Sequence, residues 1–251
     1  MTDSNLLQLI LTERPSFHKG ETEIDRAFDA TDSYLSGQAL AAVRTSDRTC
    51  YTLNSQVLSY LIETIRPSCR TLETGAGGST LVFGFKQSQH IAITPGLTEI
   101  ELIKEYAASN HIPLKTVHFV SRSSDQYLPC CDVKDLDIVL LDGKHAFPWP
   151  ILDWFYTADR LRKNGLMILD DGQLGSVSVL VDFLSMDPRW QLVREFSAKT
   201  YVFRKLAETV HDVAWHMQPF CIPSGRRPDN TLFRSAILRR VGSRLKGLLK
   251  L

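Results

Sequence analysis

Three aspartates follow two short apolar runs of the chain. Asp142 comes directly after Leu-Asp-Ile-Val-Leu-Leu at 136–141, and Asp170 and Asp171 come directly after Leu-Met-Ile-Leu at 166–169. Such runs are typical of buried parallel strands, whose carboxyl ends meet at one edge of a sheet. Carboxylates so close together repel each other, and a hard divalent cation such as Mg²⁺ removes that penalty. The spacing therefore predicts a metal site made of these three aspartates, although Asp-Gly pairs are also common in plain turns.

A second stretch that could bind a ligand is rich in glycine. It reads Thr-Leu-Glu-Thr-Gly-Ala-Gly-Gly-Ser-Thr-Leu at residues 71–81. It predicts a strand that ends near Glu73, a tight turn, and a helix that starts at Ser79 or Thr80. Gly75 and Gly77 are expected to take positive φ and to let a ligand approach the backbone. Ser79 or Thr80 is expected to cap the helix, whose free N–H groups attract polar ligand atoms.

The elements that must position these residues alternate along the chain. Short apolar runs predict strands, and runs with helical periodicity predict the helices between them. The predicted strands are one that ends near residue 73 and those at 90–94, 115–120, 136–141, 166–169, 190–196 and 200–204. The predicted helices are 97–109, 150–162 and 176–184, with Asn164-Gly165 closing the second of them. This order predicts an α/β, doubly wound, mainly parallel sheet that ends in an antiparallel hairpin.

The spacing of the glycines separates two kinds of nucleotide motif. A dinucleotide fingerprint needs Gly-x-Gly-x-x-Gly, and the last position here is Thr80, so that match fails. The pattern Glu73-x-Gly75-x-Gly77-x-Ser79 instead resembles the first motif of class I S-adenosylmethionine-dependent methyltransferases. The resemblance implies a Rossmann-like fold with seven strands and S-adenosylmethionine as cofactor. It also implies that Glu73, Gly75 and Gly77 hold the methionine end of the cofactor, with Ser79 as a further contact.

Over residues 72–204 the chain is similar to metal-dependent O-methyltransferases of the catechol and sugar-modifying types. The resemblance places Asp142, Asp170 and Asp171 on the metal-ligand positions of that family, and Asp142 also faces the cofactor there. The catechol-type enzymes carry a lysine as general base where this chain has His145. A histidine side chain can take a hydroxyl proton near neutral pH. The departure from lysine leaves a plain packing role for His145 open.

Two other expected cofactor contacts differ from the family pattern. Nucleotide-binding folds usually end the second strand with an acid that binds the ribose hydroxyls. This chain has Thr94 there, followed by Pro95, and a threonine can hydrogen-bond a ribose only without charge. Glu99 is expected on the surface of the following helix. Ser123 and Ser124 stand where the family contacts adenine.

Composition and charge narrow the class of protein. The chain has 251 residues, of which 43% are hydrophobic and 23% charged, and a net charge of +1. This balance is that of an ordinary globular protein and gives no global argument for nucleic-acid binding. Five cysteines without metal-ligand spacing predict free thiols in a reducing compartment, which favours the cytoplasm. The N-terminus lacks the basic start of a signal peptide, and no apolar run approaches the roughly 20 residues of a membrane span.

The sequence divides into three segments: an N-terminal helical segment at 1–66, the methyltransferase-like core at 67–206, and a C-terminal tail at 207–251. Residues 222–251 carry a net charge of +7, which leaves −6 for the rest of the chain. The tail predicts a linker and then a basic amphipathic helix from about residue 231 to the end. We expect its apolar stripe to dock on the main domain or on a second copy of the chain. An anionic membrane surface is the alternative.

These observations together predict methyl transfer from S-adenosylmethionine to a hydroxyl group of a small molecule, assisted by Mg²⁺ or a similar ion. Two alternatives stay open. The same carboxylates could position an acceptor directly in a metal-independent methyltransferase. The chain could also be a non-catalytic binding module that kept the fold. The sequence does not name the acceptor, since a fold alone does not set the substrate.

Overall fold

The computed structural model describes residues 1–13, 15, 17, 53–211 and 214–221. The chain divides into two compact units, Met1–His211 and Asp212–Leu251. Of the second unit the structure describes only two short 3₁₀ turns, Trp215–Met217 and Pro219–Cys221. The predicted linker and the basic amphipathic helix of the tail lie outside the described residues.

The first unit is built on a sheet of seven strands in the order β3-β2-β1-β4-β5-β7-β6. The strands are β1 (Arg70–Thr74), β2 (Gln89–Ile93), β3 (Val117–Val120), β4 (Leu136–Leu141), β5 (Leu161–Leu169), β6 (Trp190–Phe196) and β7 (Thr200–Lys205). Strands β1 to β5 are parallel, β7 is antiparallel to β5, and β6 is antiparallel to β7. The predicted Rossmann-like, mainly parallel sheet with its final hairpin is confirmed.

Helices cover both faces of this sheet. They are α1 (Asp3–Glu13), α2 (Ser55–Thr64), α3 (Gly78–Phe85), α4 (Leu97–Ser109), α5 (Ser124–Tyr127), α6 (Trp149–Ala158) and α7 (Gly175–Met186). Successive residues of β4 alternate between two cores: Ile138 and Leu140 pack with α1 to α4, and Val139 and Leu141 pack with α6 and α7. Because both faces are buried, the central strands are apolar along almost their whole length.

The described parts of the predicted N-terminal helical segment are α1 and α2. The Asn54 side chain caps α2, since its Oδ1 accepts the Gln56 N–H at 2.8 Å. Leu6 and Ile10 of α1 are fully buried in the same core as α2. These helices therefore close one face of the sheet and belong to the same compact unit as the strands.

The prediction that Asn164-Gly165 ends a helix is wrong. Helix α6 ends at Ala158, and both residues lie inside β5. Asn164 has a φ of 66°, and the pairing of β4 with β5 shifts register between Leu136 and Ile138. Asparagine adopts the left-handed conformation more easily than most residues, so this pair forms an irregularity within the strand rather than a helix end.

No helix within the described ranges has the length and hydrophobicity that crossing a membrane requires. Cys69, Cys130, Cys131 and Cys221 are free thiols. The cytoplasmic location stays a prediction.

Candidate active site

The loops that follow β1, β4 and β5 lie side by side at the carboxyl edge of the sheet. The Asp142 N–H donates to the Thr74 carbonyl at 3.0 Å, and the Asp170 N–H donates to the Leu141 carbonyl at 3.1 Å. These bonds continue the strand pairing one residue past the strand ends. The glycine turn, which we define as residues 75–77, is thereby held against the loop that carries Asp142.

Gly75 is the residue on which this close approach depends. Its φ is 86°, and a Cβ atom added there would collide with the carbonyl oxygen of Asp142. Gly77 differs, because its φ of 175° is extended backbone that any residue adopts. The expected positive φ at Gly77 is therefore wrong. Apart from Gly77 and its two chain neighbours, no described residue has an atom within 4 Å of where a Gly77 Cβ would be, so a ligand has room to approach the backbone there.

Glu73 lies beneath the glycine turn and is only 1% exposed. The Ser79 hydroxyl donates to its Oε2 at 2.6 Å, and the Thr80 hydroxyl donates to its Oε1. The Thr80 oxygen also accepts the Gly77 N–H at 2.9 Å. Gly77 is the N-cap of α3, so neither Ser79 nor Thr80 occupies that position, but Thr80 caps the helix from its first turn by accepting the Gly77 N–H, as in a capping box. Both hydroxyls also tie the first turn of α3 to the Glu73 carboxylate.

His90 extends this buried network from β2. Its ring stacks on Phe83 with centroids 4.0 Å apart and planes 7° apart, and its Nδ1 lies 2.8 Å from the Thr71 hydroxyl oxygen. Its Nε2 lies 3.1 Å from Glu73 Oε1, within ion-pair distance but without hydrogen-bond alignment. Glu73 is therefore surrounded by groups of its own chain, and its carboxylate shapes the glycine turn from inside the protein.

At the end of β2, Thr94 is hydrogen-bonded to a carboxylate from the next helix. Its hydroxyl donates to Glu99 Oε2 at 2.6 Å, and Thr94 itself is 3% exposed. Glu99 belongs to the first turn of α4, and its carboxylate folds back over Gly96, where an added Cβ would lie 2.5 Å from Glu99 Cδ. The expectation that Glu99 lies on the outer surface of the helix is wrong.

Ser123 and Ser124 follow β3, as expected for the adenine side of a nucleotide site. Ser123 is the half-buried N-cap of α5, and Ser124 is buried. Near them Asp153 of α6 is 2% exposed, and its Oδ1 has no hydrogen-bond partner among the described residues. Burial raises the pKa of Asp153 to about 6, and the Ser124 hydroxyl acts in the opposite direction. Contact of the two serines with a cofactor stays a prediction.

On the other side of the glycine turn, Asp142, His145 and Asp171 converge. Each offers one atom suited to metal ligation, and these atoms lie within 4.8 Å of one another. His145 Nε2 is 3.3 Å from Asp171 Oδ2 and 3.7 Å from Asp142 Oδ1. All three side chains are between 21% and 25% exposed. The structure thus brings together two of the three predicted carboxylates and the predicted base.

Asp170, the third predicted carboxylate, is not part of that group. It is 3% exposed, and the Thr200 hydroxyl donates to its Oδ1. The Lys199 ammonium lies 3.4 Å from Asp170 Oδ2 and 3.3 Å from Asp171 Oδ1. Lys199 therefore supplies a positive charge from within the chain to the Asp cluster, by which we mean Asp142, Asp170 and Asp171.

The charges of the Asp cluster alter its protonation. Burial, and then repulsion from Asp170 and Asp171, raise the pKa of Asp142 well above its ordinary value, against the opposing effect of Lys199. Burial also raises the pKa of Asp170, which Lys199 again opposes. Burial lowers the pKa of Lys199, but the three carboxylates outweigh it, and the net shift is upward. Among the described residues, one ammonium thus interacts with the three carboxylates and compensates their charge only in part.

Four residues of this region were not predicted from sequence: His90, Glu99, Asp153 and Lys199. A usable signal existed for Lys199. The predicted hairpin of β6 and β7 places its turn beside the end of β5 once β7 pairs antiparallel with that strand. The other three depend on how helices and strands pack, which the sequence pattern does not specify.

No protein-family model matches this sequence, and no curated protein matches it. Solved structures do match the fold at low identity. Cofactor-bound Rv0187 from MTB has a TM-score of 0.54 and 14% identity, covering 75% of this chain and 98% of its own. The S-adenosylhomocysteine-bound methyltransferase PaMTH1 from Podospora anserina has a TM-score of 0.53 and 14% identity, covering 77% and 99%. A caffeoyl-CoA O-methyltransferase-like protein from Staphylococcus aureus has a TM-score of 0.53 and 15% identity, covering 81% and 98%.

This chain has the Rossmann-like fold of these methyltransferase structures. The glycine turn and the Asp cluster lie at the carboxyl edge of its parallel strands, where open α/β sheets bind their ligands.

Proposed function

We propose that this chain is an S-adenosylmethionine-dependent methyltransferase that acts on a hydroxyl group of a small molecule. One observation carries the proposal. The glycine turn touches the backbone of the loop whose Asp142 side chain converges with His145 and Asp171. A cofactor seated on the turn would therefore present its reactive end beside a group of acidic and basic side chains. The methyltransferase fold of the neighbouring structures supports the same assignment.

We further propose that a divalent ion belongs to this site. Two carboxylates and one imidazole are a donor set that suits Mn²⁺ better than Mg²⁺, which prefers oxygen ligands. Burial, and then repulsion from Asp170 and Asp171, raise the pKa of Asp142, and a bound cation would offset that repulsion. Asp142, His145 and Asp171 would hold the ion, while Asp170 would support them through Lys199 and Thr200. When bound, a divalent ion would anchor and acidify the acceptor hydroxyl.

The chain's own part in the reaction is positioning and proton transfer. Glu73 fixes the glycine turn through Ser79 and Thr80, and the turn orients the methyl donor. The methyl group passes from the donor sulfur to the acceptor oxygen, its bond to sulfur breaks, S-adenosylhomocysteine is left, and the hydroxyl proton must leave. In this proposal His145 Nε2, which lies 3.3 Å from Asp171 Oδ2, either takes that proton or ligates the ion, but does not do both at once.

Calorimetry with S-adenosylmethionine and S-adenosylhomocysteine on the cofactor-stripped protein is the first test. We expect both to bind. Absence of heat and of a thermal shift at millimolar ligand would remove the enzyme assignment.

A methyl-transfer assay with catechol as a probe acceptor then tests the ion and the base. We expect excess EDTA to abolish activity and Mn²⁺ or Mg²⁺ to restore it. His145→Ala separates the two roles of the histidine. If His145 is the base, turnover falls much more than the affinity for either cofactor or ion; if it is a ligand, ion affinity falls as well. Unchanged turnover would leave His145 with a packing role.

Lys199 favours a second candidate function, methyl transfer without a metal. Its ammonium already lies within 3.4 Å of two of the three carboxylates and compensates part of their charge. In that case the carboxylates and Lys199 would position the acceptor by direct hydrogen bonds. Full activity in excess EDTA, lost on Lys199→Met, is the outcome that selects this second function over the first.

A further inference from the structure

We infer that His90 is a positioning residue for the cofactor, and that it acts through the Glu73 carboxylate on the backbone of the glycine turn. The inference rests on the proposed function, since it concerns the support of the same cofactor site. His90 and Glu73 are each 1% exposed, so neither side chain meets a ligand that sits on the turn. Any effect of His90 on the cofactor must therefore pass through other groups of the chain.

The proton on the imidazole is the first step. His90 Nδ1 lies 2.8 Å from the Thr71 hydroxyl oxygen, and a hydroxyl can either donate or accept. His90 Nε2 lies 3.1 Å from Glu73 Oε1, and an ionised carboxylate can only accept. A bare Nε2 would direct its lone pair at a carboxylate oxygen, so the stable arrangement has the proton on Nε2. His90 thus presents an N–H group to Glu73.

Glu73 Oε1 is the second step, because two groups share this atom. It accepts a hydrogen bond from the Thr80 hydroxyl, and His90 Nε2 approaches it from β2. The Thr80 oxygen in turn accepts the Gly77 N–H at 2.9 Å. A line of contacts therefore runs from His90 through Glu73 and Thr80 to the Gly77 amide. The N–H group of His90 helps to hold Oε1 where Thr80 meets it.

The Gly77 end of this line is the third step, since a ligand can approach it. Apart from Gly77 and its two chain neighbours, no described residue has an atom within 4 Å of where a Gly77 Cβ would be. Gly77 is also the N-cap of α3, and the first N–H groups of a helix attract polar ligand atoms. A shift of Glu73 Oε1 would therefore move the backbone groups that face the cofactor.

Packing is the competing explanation for His90. Its ring stacks on Phe83 with centroids 4.0 Å apart, and a buried ring can serve stability alone. The test must therefore separate the loss of the ring from the loss of the N–H group that faces Glu73. Two amides do this, because the amide nitrogen of glutamine reaches the place of Nε2 and that of asparagine reaches the place of Nδ1. Both substitutions remove the ring, and only glutamine keeps a donor for Glu73.

The experiment is calorimetry with S-adenosylhomocysteine on the full-length protein, with thermal unfolding measured on the same samples. His90→Asn should weaken binding about tenfold, as for the loss of a hydrogen bond to a charged acceptor. His90→Gln should bind close to wild type, although it loses the ring as well. His90→Phe keeps an aromatic ring against Phe83 but has no N–H group, and it should weaken binding as His90→Asn does. Because it keeps the buried ring, His90→Phe carries the test if the amide variants fold poorly.

Ile10→Val is the matched control for stability, since Ile10 is fully buried in the core that also contains Phe83. It should lower the melting temperature and leave the affinity unchanged. Equal weakening by His90→Gln and His90→Asn would assign His90 to packing and overturn the inference alone. Wild-type affinity in His90→Phe would do the same. A wild-type protein that binds no S-adenosylhomocysteine would overturn the proposed function, and the role of His90 would fall with it.

Discussion

Glu73 lies near the end of β1 and Asp142 directly follows the neighbouring strand β4, yet their carboxylates lie in opposite surroundings. Glu73 is almost fully buried, and its carboxylate accepts hydrogen bonds from the hydroxyl groups of Ser79 and Thr80. The Asp142 side chain is 21% exposed. Burial of the rest of it, and then repulsion from Asp170 and Asp171, raise its pKa. One carboxylate is satisfied by its own chain, and the other is not.

This difference suggests that Glu73 mainly affects the stability of the fold, whereas Asp142 mainly affects the proposed function. A buried carboxylate with good hydrogen-bond donors holds the backbone around it in one arrangement, and here that backbone is the glycine turn. A group of carboxylates that repel each other stores free energy that a cation can release. Glu73 therefore fixes the backbone of the turn, whereas the described residues compensate the charge of the Asp cluster only in part, through Lys199.

The largest effect is expected from Asp171→Asn. It removes a charge and a ligand atom from the group that Asp171 forms with Asp142 and His145. We expect divalent-ion affinity and methyl transfer to fall by about 100- to 1,000-fold, comparable to losing one preorganised polar group from an active site. Calorimetry with Mn²⁺ and an activity assay measure both. Thermal stability should hold or rise, and Asp132→Asn, at an exposed aspartate, should leave every value unchanged.

Glu73→Gln should act in the opposite sense on stability. Two hydroxyl donors lose their charged acceptor inside the core, which lowers the free energy of unfolding by about 4 kcal/mol. Asp142→Asn should raise the same free energy at pH 8, because it removes like-charge repulsion. Urea unfolding measures both variants. If the two substitutions shift the unfolding midpoint in the same direction, the contrast between the two carboxylate sites does not hold.

Asp153 provides a smaller test, since it is a buried carboxyl whose pKa is raised mainly by burial. Its pKa of about 6 in the folded protein lies above the ordinary value of 3.8. The folded state therefore keeps a proton that the unfolded state loses. This contribution to stability is complete below about pH 4 and is lost as the pH rises through about 6, a change of about 3 kcal/mol.

The measurement is urea unfolding at several pH values between 4 and 7. Asp153→Asn should remove this part of the pH dependence, so that the variant becomes more stable than the wild type at the upper end. Glu101→Gln is the control. Parallel curves for Asp153→Asn and wild type would show that burial does not raise the pKa of this carboxyl.

Much of this architecture follows from the sequence because local patterns set it. The apolar runs of β1, β4 and β5 predict buried parallel strands, and the residues directly after them must lie at one edge of the sheet. Gly75 is recognisable as the turn residue because it follows a predicted strand and glycine readily takes a positive φ. The Asn164-Gly165 pair does not specify one structure, since the same two residues can end a helix or form an irregularity in a strand, and only the pairing of β4 with β5 decides between them.

The contacts that define the site chemistry depend on packing between elements distant in sequence. Glu99 reaches Thr94 because α4 starts directly after Gly96, which has no side chain to block the Glu99 carboxylate. The Asp170 carboxylate contacts Thr200 and Lys199 of the hairpin and does not join the group of Asp142, His145 and Asp171. The pairing of β7 with β5 brings the hairpin beside the end of β5. The side-chain rotamers that complete these contacts depend on packing, which the sequence pattern does not specify.

Lys199→Met gives the smallest expected effect and the sharpest comparison between the two candidate functions. The ammonium lies 3.3 Å from Asp171 and competes with any ion for that carboxylate. Its side chain is 35% exposed, so solvent screens part of the interaction. We expect the variant to bind Mn²⁺ about tenfold more tightly, because a competing positive charge is gone. Lys163→Met, at an exposed lysine paired with Glu208, should leave ion affinity unchanged. Weaker Mn²⁺ binding by Lys199→Met would mean that the ammonium organises the carboxylates for the ion rather than competing with it.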